Sequence, residues 1–269
     1  MIIFAKPRFH YNSYTDFWSL VELSEFETCW IDAIDLKSNN TYIVTLVDPE
    51  RDKWHLSWWQ RKRKKARLIF WDLERPKPRG GIKAHEAFLN GLNFDEVWHS
   101  DPQLAKDLGT RFVVLGSDER LGQVPRWTKP YNFALMAYLN DRRKVIVSEI
   151  NRVAPNVANN CYGVERQMIL SATRFGLNSH QDDDLYYEPL RLALFAAYAL
   201  PVISEAIYDA FPVHNALLAY SDKLVDKCKF YVECYREDEK WIKAHGLALK
   251  RKLCFDYRFR SMVEYAART

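Results

Sequence analysis

The sequence predicts an α/β fold of two Rossmann-like domains, each a doubly wound parallel sheet, followed by C-terminal helices. Three observations predict it. Across residues 1–117, short apolar runs alternate with segments of helical periodicity, the signature of a parallel sheet. The stretch from Gly116 to Asn132 is polar, carries Gly and Pro, and has no periodicity, as a linker does. From residue 131 the alternation starts again. Residues 1–117 are therefore expected to form an N-terminal domain, 118–130 a linker, and 131–269 a C-terminal domain with a helical tail.

In chain order, "IIFA" from Ile2 to Ala5 is a buried strand, and Tyr14 to Ser24 a helix with Phe17, Leu20 and Val21 at helical spacing. "TCWIDAI" and "TYIVTLVDP" are the next strands, the second stopped by Asp48-Pro49. "DKWHLSWWQRKRKKA" is predicted as a helix with a basic end. Strand "RLIFWDLERP", helix "IKAHEAFLNGL", strand "DEVWHSD", helix "QLAKDLG" and strand "RFVVLGS" complete the first domain. The second opens with strand "FALMAYL", then helices "RRKVIVSEINRV" and "VERQMILSA", strand "FGLNSH", helix "EPLRLALFAAYAL" and strand "PVIS". From about Asn215 onward a charged helical tail is expected, its longest span reaching from Lys223 to Leu253. No short fixed period repeats, which argues against a solenoid.

Composition narrows the function classes. With 48% hydrophobic and 14% aromatic residues in 269, the chain has ample material for a packed core. A net charge of +4 permits an anionic partner without requiring one. The five cysteines lie far apart, odd in number and with no CxxC pair, against both a disulfide framework and a structural zinc site. The four-residue apolar run before Lys6 is too short for a signal sequence, and no stretch reaches the ~18 apolar residues of a membrane span. The expectation is a soluble, cytoplasmic protein, in the host cytoplasm if the source is viral.

The informative segment runs from Ile169 to Glu205. A polar loop with Asp182, Asp183 and Asp184 meets Glu188-Pro189, which opens an almost wholly apolar helix carrying one arginine, Arg191, in its first turn; Ala199-Leu200-Pro201-Val202 follows and leads into a strand. This arrangement resembles the donor-binding segment of GT-B glycosyltransferases of the group 1 type. The likeness spans residues 131–269, including "FALMAYLNDRRKVIVSEI" as the first strand-loop-helix of a donor domain and the closing helices; the N-terminal half matches at fold level alone. Two positions depart from the family pattern. A second glutamate usually stands eight residues after the first, where this chain has Ala196, and the glycine usual before Leu-Pro is Ala199.

The resemblance implies a metal-independent hexosyltransferase-like enzyme that needs no cofactor. Its N-terminal domain would bind the acceptor and its C-terminal domain the nucleotide-sugar, UDP- or GDP-linked. Implied donor-binding residues are Arg142 and Arg143, which otherwise form an ordinary solvated helix start, and Glu188, with Glu205 taking over a sugar contact; Arg191 adds a fixed cation in the first turn of its helix, and His180 either bonds a sugar hydroxyl or simply ends the strand. Physical chemistry points the same way, since a helix N-terminus presents unpaired N–H groups and a positive dipole end to a diphosphate. The bland reading stays open beside it: Glu188 as a cap, Pro189 as a first-turn proline and Arg191 as the partner of an acidic neighbour. The triple aspartate admits a hard-cation site or a solvated acidic loop.

Ligands of doubly wound sheets meet the loops at the carboxyl ends of the strands. In the first domain these loops hold Arg8, His10 and Asp16, then Asp48, Asp72 and Glu74, then His99 and Asp101. His10 and Asp72 are the candidate catalytic residues, since an inverting transferase needs a general base near the acceptor hydroxyl. Arg8, Asp16 and His99 are candidate acceptor contacts, joined by Arg61, Lys62 and Arg63. The latter lie in the run Gln60 to Arg67, which holds six cations in eight positions beside aromatics. Such a run is either an ordinary charged helix end or a track for a phosphate backbone. The second reading points to a nucleic-acid or other anionic acceptor, as for a DNA-modifying sugar transferase of the viral kind. The alternative from another class is a noncatalytic nucleic-acid-binding protein built on the same run.

Overall fold

The computed structural model describes residues 1–8, 14–45, 65–76, 80–91, 94–123, 131–159, 161–181, 185–221 and 223–269, without the side chain of Tyr220. Two all-parallel sheets organise it. The first contains β1 (Ile2–Lys6), β2 (Glu27–Trp30), β3 (Thr41–Thr45), β4 (Arg67–Asp72), β5 (Glu96–His99) and β6 (Arg111–Phe112), in the order β2-β1-β3-β4-β5-β6. The second contains β7 (Tyr131–Leu135), β8 (Val157–Asn159), β9 (Thr173–Asn178), β10 (Val202–Ser204) and β11 (Ala219–Tyr220), in the order β11-β10-β9-β7-β8. Read from the β8 side, the second order repeats the first. Each sheet starts in its interior, steps once to one edge and then winds the other way, so its switch point lies between its first and third strands.

The strands read as continuous apolar runs because both faces are covered. In β4, Leu68, Ile69, Phe70 and Trp71 are all buried. On one face lie Ala5, Leu68 and Phe70 with Leu89 of α2 (Ile82–Asn90); on the other, Phe4, Ile69, Trp71 and Trp98 pack on Phe17 and Val21 of α1 (Thr15–Leu23). α3 (Pro102–Leu108) follows β5, started by Asp101, whose Oδ1 accepts from the Leu104 N–H, and ended by Gly109 in the left-handed region. In the second half, α4 (Asp141–Val153) follows β7, α5 (Gly163–Ser171) follows β8, and α6 (Pro189–Ala197) follows β9. Every residue of α6 except Leu190 is buried, which the sequence signalled by an apolar run of small and large side chains. Gly176 of β9 makes room for it, since a Cβ there would sit 2.7 Å from the Phe195 ring.

The structure departs from the sequence expectations in the tail. Strands β8 and β11 were not expected; at three and two residues they are too short to show a period. The long tail helix is two helices, α7 (Leu224–Glu237) and α8 (Glu239–Lys250), divided at Asp238, whose carboxylate accepts the Trp241 N–H at 2.9 Å and caps the second. A π-helical segment, Arg251–Asp256, leads to α9 (Phe259–Arg268). That last helix, assigned by sequence to the second domain, packs on the first. Phe259, Val263, Ala266 and Ala267 form its buried stripe, and the Phe259 ring stacks on Trp71 with centroids 5.8 Å apart. Burying Phe259 and Val263 contributes about 1.5–3 kcal/mol each. Arg111 ties the helix end by donating to the Ala266 carbonyl at 3.0 Å. The crossing occurs over Gly116, where a Cβ would lie 1.7 Å from the Tyr257 carbonyl oxygen.

Candidate active site

The two switch points face each other across a cleft of about 290 Å³. From the first half, Tyr14, Asp16 and Phe17 follow β1, and Leu73, Glu74 and Arg75 follow β4. From the second half, Met136 to Tyr138 follow β7, Gln181 follows β9, and Glu188 to Arg191 form the start of α6. The position follows from topology: at a switch point the connections on either side diverge and leave a crevice at the carboxyl ends of the strands. The lining holds four arginines (Arg75, Arg143, Arg166, Arg191) against three carboxylates (Asp16, Glu74, Glu188), an excess of one positive charge.

Glu188 is the hub. Arg191 Nη2 lies 2.5 Å from its Oε2, Arg143 Nη2 donates to Oε1 at 3.3 Å, and His180 Nδ1 stands 3.6 Å from Oε1. Burial alone would push this carboxyl up, but Arg191, His180, Arg143 and Arg75 outweigh it and hold Glu188 well below the usual carboxylate range. The arginines feel the converse: burial, then mutual repulsion with Arg191, brings Arg143 down to about 10, and burial also lowers Arg191. Both guanidinium groups converge on one backbone oxygen. The Ser179 carbonyl accepts from Arg143 Nη2 at 2.8 Å and from Arg191 Nη1 at 2.9 Å, and Arg191 Nη1 also donates to Asn178 Oδ1. The end of β9 thus serves as the mount for two fixed cations. A Pro at the first position of α6 leaves no N–H to satisfy there, and Glu188 makes no side-chain cap bond.

Across the cleft, Asp16 sits in the first turn of α1, 7% exposed, and pairs with Arg166 of α5, so the two halves meet through a buried ion pair. Its Oδ1 is buried without a hydrogen-bond partner. Burial raises the Asp16 carboxyl above its ordinary value despite the attraction of Arg166. Arg75 spans from the first half to Gln181 Oε1 at 3.4 Å. Asp101 adds a second link, because its other oxygen accepts the Tyr187 N–H and so fixes the residue before Glu188.

Of the residues singled out by sequence, Asp16, Glu74, Arg143, Glu188 and Arg191 line this cleft. His180 is buried behind it, its Nε2 2.7 Å from the Ala206 carbonyl. Arg142 and Glu205 form a bidentate pair at 2.6 and 3.0 Å beside a neighbouring depression that Lys223 and Asp226 also line. Burial raises the Glu205 carboxyl, and Arg142, the His180 N–H and the Ser179 hydroxyl together more than reverse it, leaving a net lowering. Arg8 points elsewhere, 2.9 Å from Asp32 and over the Trp30 ring. Asp72 and His99 lie outside the cleft lining, packed against each other and His85. His10, Asp48, Arg61, Lys62, Arg63 and the Asp182 to Asp184 run lie outside the described residues.

Sequence reasoning missed Arg75, Arg166, Tyr14 and Gln181. One signal was available. Arg166 shares a buried helical stripe with Ile169 and Leu170 at the i, i+3, i+4 spacing, and Arg143 shares one with Val147 and Ile150 at i, i+4, i+7. A cation on an apolar stripe is buried with a partner or points into a polar cleft.

No protein-family model matches the sequence, and no curated protein matches it. Solved structures do match over the whole chain. HepE from Anabaena, in complex with UDP and glucose, superposes with a TM-score of 0.64 at 8% identity, covering 100% of this chain and 99% of that one. WaaG, a glycosyltransferase involved in lipopolysaccharide biosynthesis, gives 0.58 at 11% identity, with 99% and 98% covered. A glycosyltransferase from Rickettsia africae gives 0.55 at 8% identity, with 98% and 97% covered. At these identities the likeness shows the fold: two doubly wound domains in the GT-B arrangement, with GT-B glycosyltransferases as structural neighbours.

Proposed function

We propose that this chain is a glycosyltransferase that takes a sugar from a UDP- or GDP-linked donor held by its second half and passes it to an acceptor at its first. The observation that carries this reading is the cluster of Arg143, Arg191 and Glu188 at the start of α6, mounted on the end of β9 and facing the cleft where the two switch points meet. Leaving-group departure from a nucleotide-sugar builds negative charge on the diphosphate. Fixed guanidinium groups and a helix N-terminus in a partly dry cleft stabilise that charge without reorganising. The UDP and UDP-glucose carried by HepE structures support the donor class.

On the acceptor side, Asp16 takes the acid–base role in this proposal. Its Oδ1 has no hydrogen-bond partner and its raised pKa makes it a stronger base than an ordinary aspartate, which supports a role in receiving the proton of an acceptor hydroxyl. Arg166, paired with it, holds the carboxylate in place. Catalysis needs no metal in this account, only positioning and charge. An anionic acceptor such as DNA rests on the Gln60 to Arg67 run alone.

The test is a melting-temperature screen of the full chain against UDP, GDP and their glucose conjugates, with and without EDTA, followed by donor hydrolysis. A saturable rise in melting temperature with one base, plus release of sugar from its conjugate, is expected. If no nucleotide-sugar shifts the melt, the proposal fails, and steep salt-dependent binding to DNA in the same preparation would favour the noncatalytic alternative.

A further inference from the structure

Asp72, His85 and His99 bring three ligand atoms together within 4.8 Å of one another, all buried. Asp72 ends β4, His99 ends the adjacent β5, and His85 stands in the first turn of α2, so the sheet register and one helix converge at this point. Asp72 Oδ2 lies 2.8 Å from His85 Nε2 and 3.6 Å from His99 Nε2. His99 Nε2 is buried with no hydrogen-bond partner, while its Nδ1 is held by the Thr110 hydroxyl at 2.7 Å. Asp72 Oδ1 is engaged by the Glu74 N–H at 3.0 Å, which turns Oδ2 toward the two imidazoles. An orphaned ring nitrogen aimed at a carboxylate oxygen, with its other nitrogen fixed by an outer partner, is how histidine ligands of a metal are arranged. A buried nitrogen left without a partner is unfavourable, and a metal ion would satisfy it. A small cavity of about 10 Å³ borders Asp72 and His99, near the lower bound of room for one water.

We propose that Asp72, His85 and His99 bind a divalent transition metal, the two imidazoles and one carboxylate suiting zinc with its fourth position left open. Tetrahedral zinc with bonds of about 2.0–2.1 Å separates its ligand atoms by about 3.3 Å. The two observed separations to Asp72 bracket that value, and all three ligand atoms lie within 4.8 Å of one another, so binding draws them together around the ion. The ion takes the place of the proton between His85 and Asp72, which moves to the other His85 nitrogen; a water completes the set. No electron transfer is involved. The role is positioning. Residues 73–75 run directly from Asp72 into the cleft, so a metal at Asp72 pins the segment that presents Glu74 and Arg75.

The experiment is metal analysis of the full chain incubated with zinc or cobalt and then dialysed, with melts before and after EDTA. One equivalent of metal, a chelator-induced fall in melting temperature, and a four-coordinate Co(II) visible spectrum without thiolate charge-transfer bands are expected. The spectrum should vanish in His99→Gln. Should that variant not fold, the Co(II) spectrum of the unaltered chain carries the test, since thiolate bands would place the metal on cysteine. Substoichiometric metal in the unaltered chain, thiolate bands, or an unchanged spectrum in folded His99→Gln would overturn the proposal and leave the cluster a hydrogen-bonded network. Nucleotide binding is read separately and does not decide it.

Discussion

Replacing Glu188 by Gln removes one charge from the centre of the cleft and keeps its shape. Glu188 faces Arg191 at 2.5 Å and Arg143 at 3.3 Å, and both arginines are at most 7% exposed. At an effective dielectric of about 20, the two gross attractions are roughly 7 and 5 kcal/mol, most of it offset by desolvation. Breaking a buried pair costs about 3–5 kcal/mol because the remaining charge is left uncompensated. The amide can still accept hydrogen bonds, so about 3 kcal/mol is expected for Glu188→Gln. At ~2–4 °C per kcal/mol, that lowers the melting temperature by roughly 6–12 °C. Urea unfolding at neutral pH measures the loss directly. The pH dependence fixes its origin. The folded Glu188 carboxyl is held below its unfolded value, so its contribution is complete above about pH 4.3 and fades as pH falls below that. The gap between the parent chain and Glu188→Gln should therefore close on acidification. A change under about 0.5 kcal/mol at neutral pH, or a gap independent of pH, would refute the idea that this carboxylate holds the two cations.

Two other outcomes follow from the geometry. Asp16→Asn should lower kcat/KM by about 10²-fold or more while leaving UDP affinity within a few-fold, and in the parent chain kcat/KM should decline as pH falls through the raised Asp16 pKa, because the ionised form is the base. A pH–rate profile of both proteins decides it, and equal rates would remove Asp16 from the chemistry. Ala199 lies in the left-handed region at φ 52°, where a side chain costs about 1 kcal/mol, so Ala199→Gly should stabilise by about 0.5–1 kcal/mol in urea; a loss of stability would show that its methyl contributes more packing than strain.

Much of the architecture was legible because both domains bury both faces of a parallel sheet. Continuous apolar runs such as Leu68 to Trp71 and Phe133 to Leu135 are then unambiguous strands. What escaped was set by contacts distant in sequence. Phe259 and Val263 read as one amphipathic helix among several, and nothing local says that their stripe belongs on Trp71 rather than on the nearer sheet. The site behaved likewise. Glu188 and Arg191 stood out because charges beside an apolar helix are conspicuous within one segment. Asp72 and His99 looked like cleft residues because they end strands, yet both side chains turn into the protein beside His85. Strand-end position identifies the loop that reaches the cleft, here Leu73 to Arg75, one to three residues further on.

The most direct test of the donor cleft is calorimetric titration of UDP and GDP into the full chain, the parent beside Arg191→Ala. Saturable binding of one nucleotide per chain to the parent, weakened at least tenfold in a folded Arg191→Ala, is the predicted result, tenfold corresponding to about 1.4 kcal/mol. No binding of either nucleotide to the parent, or equal affinity in the variant, would contradict the assignment of this cleft to a nucleotide-sugar.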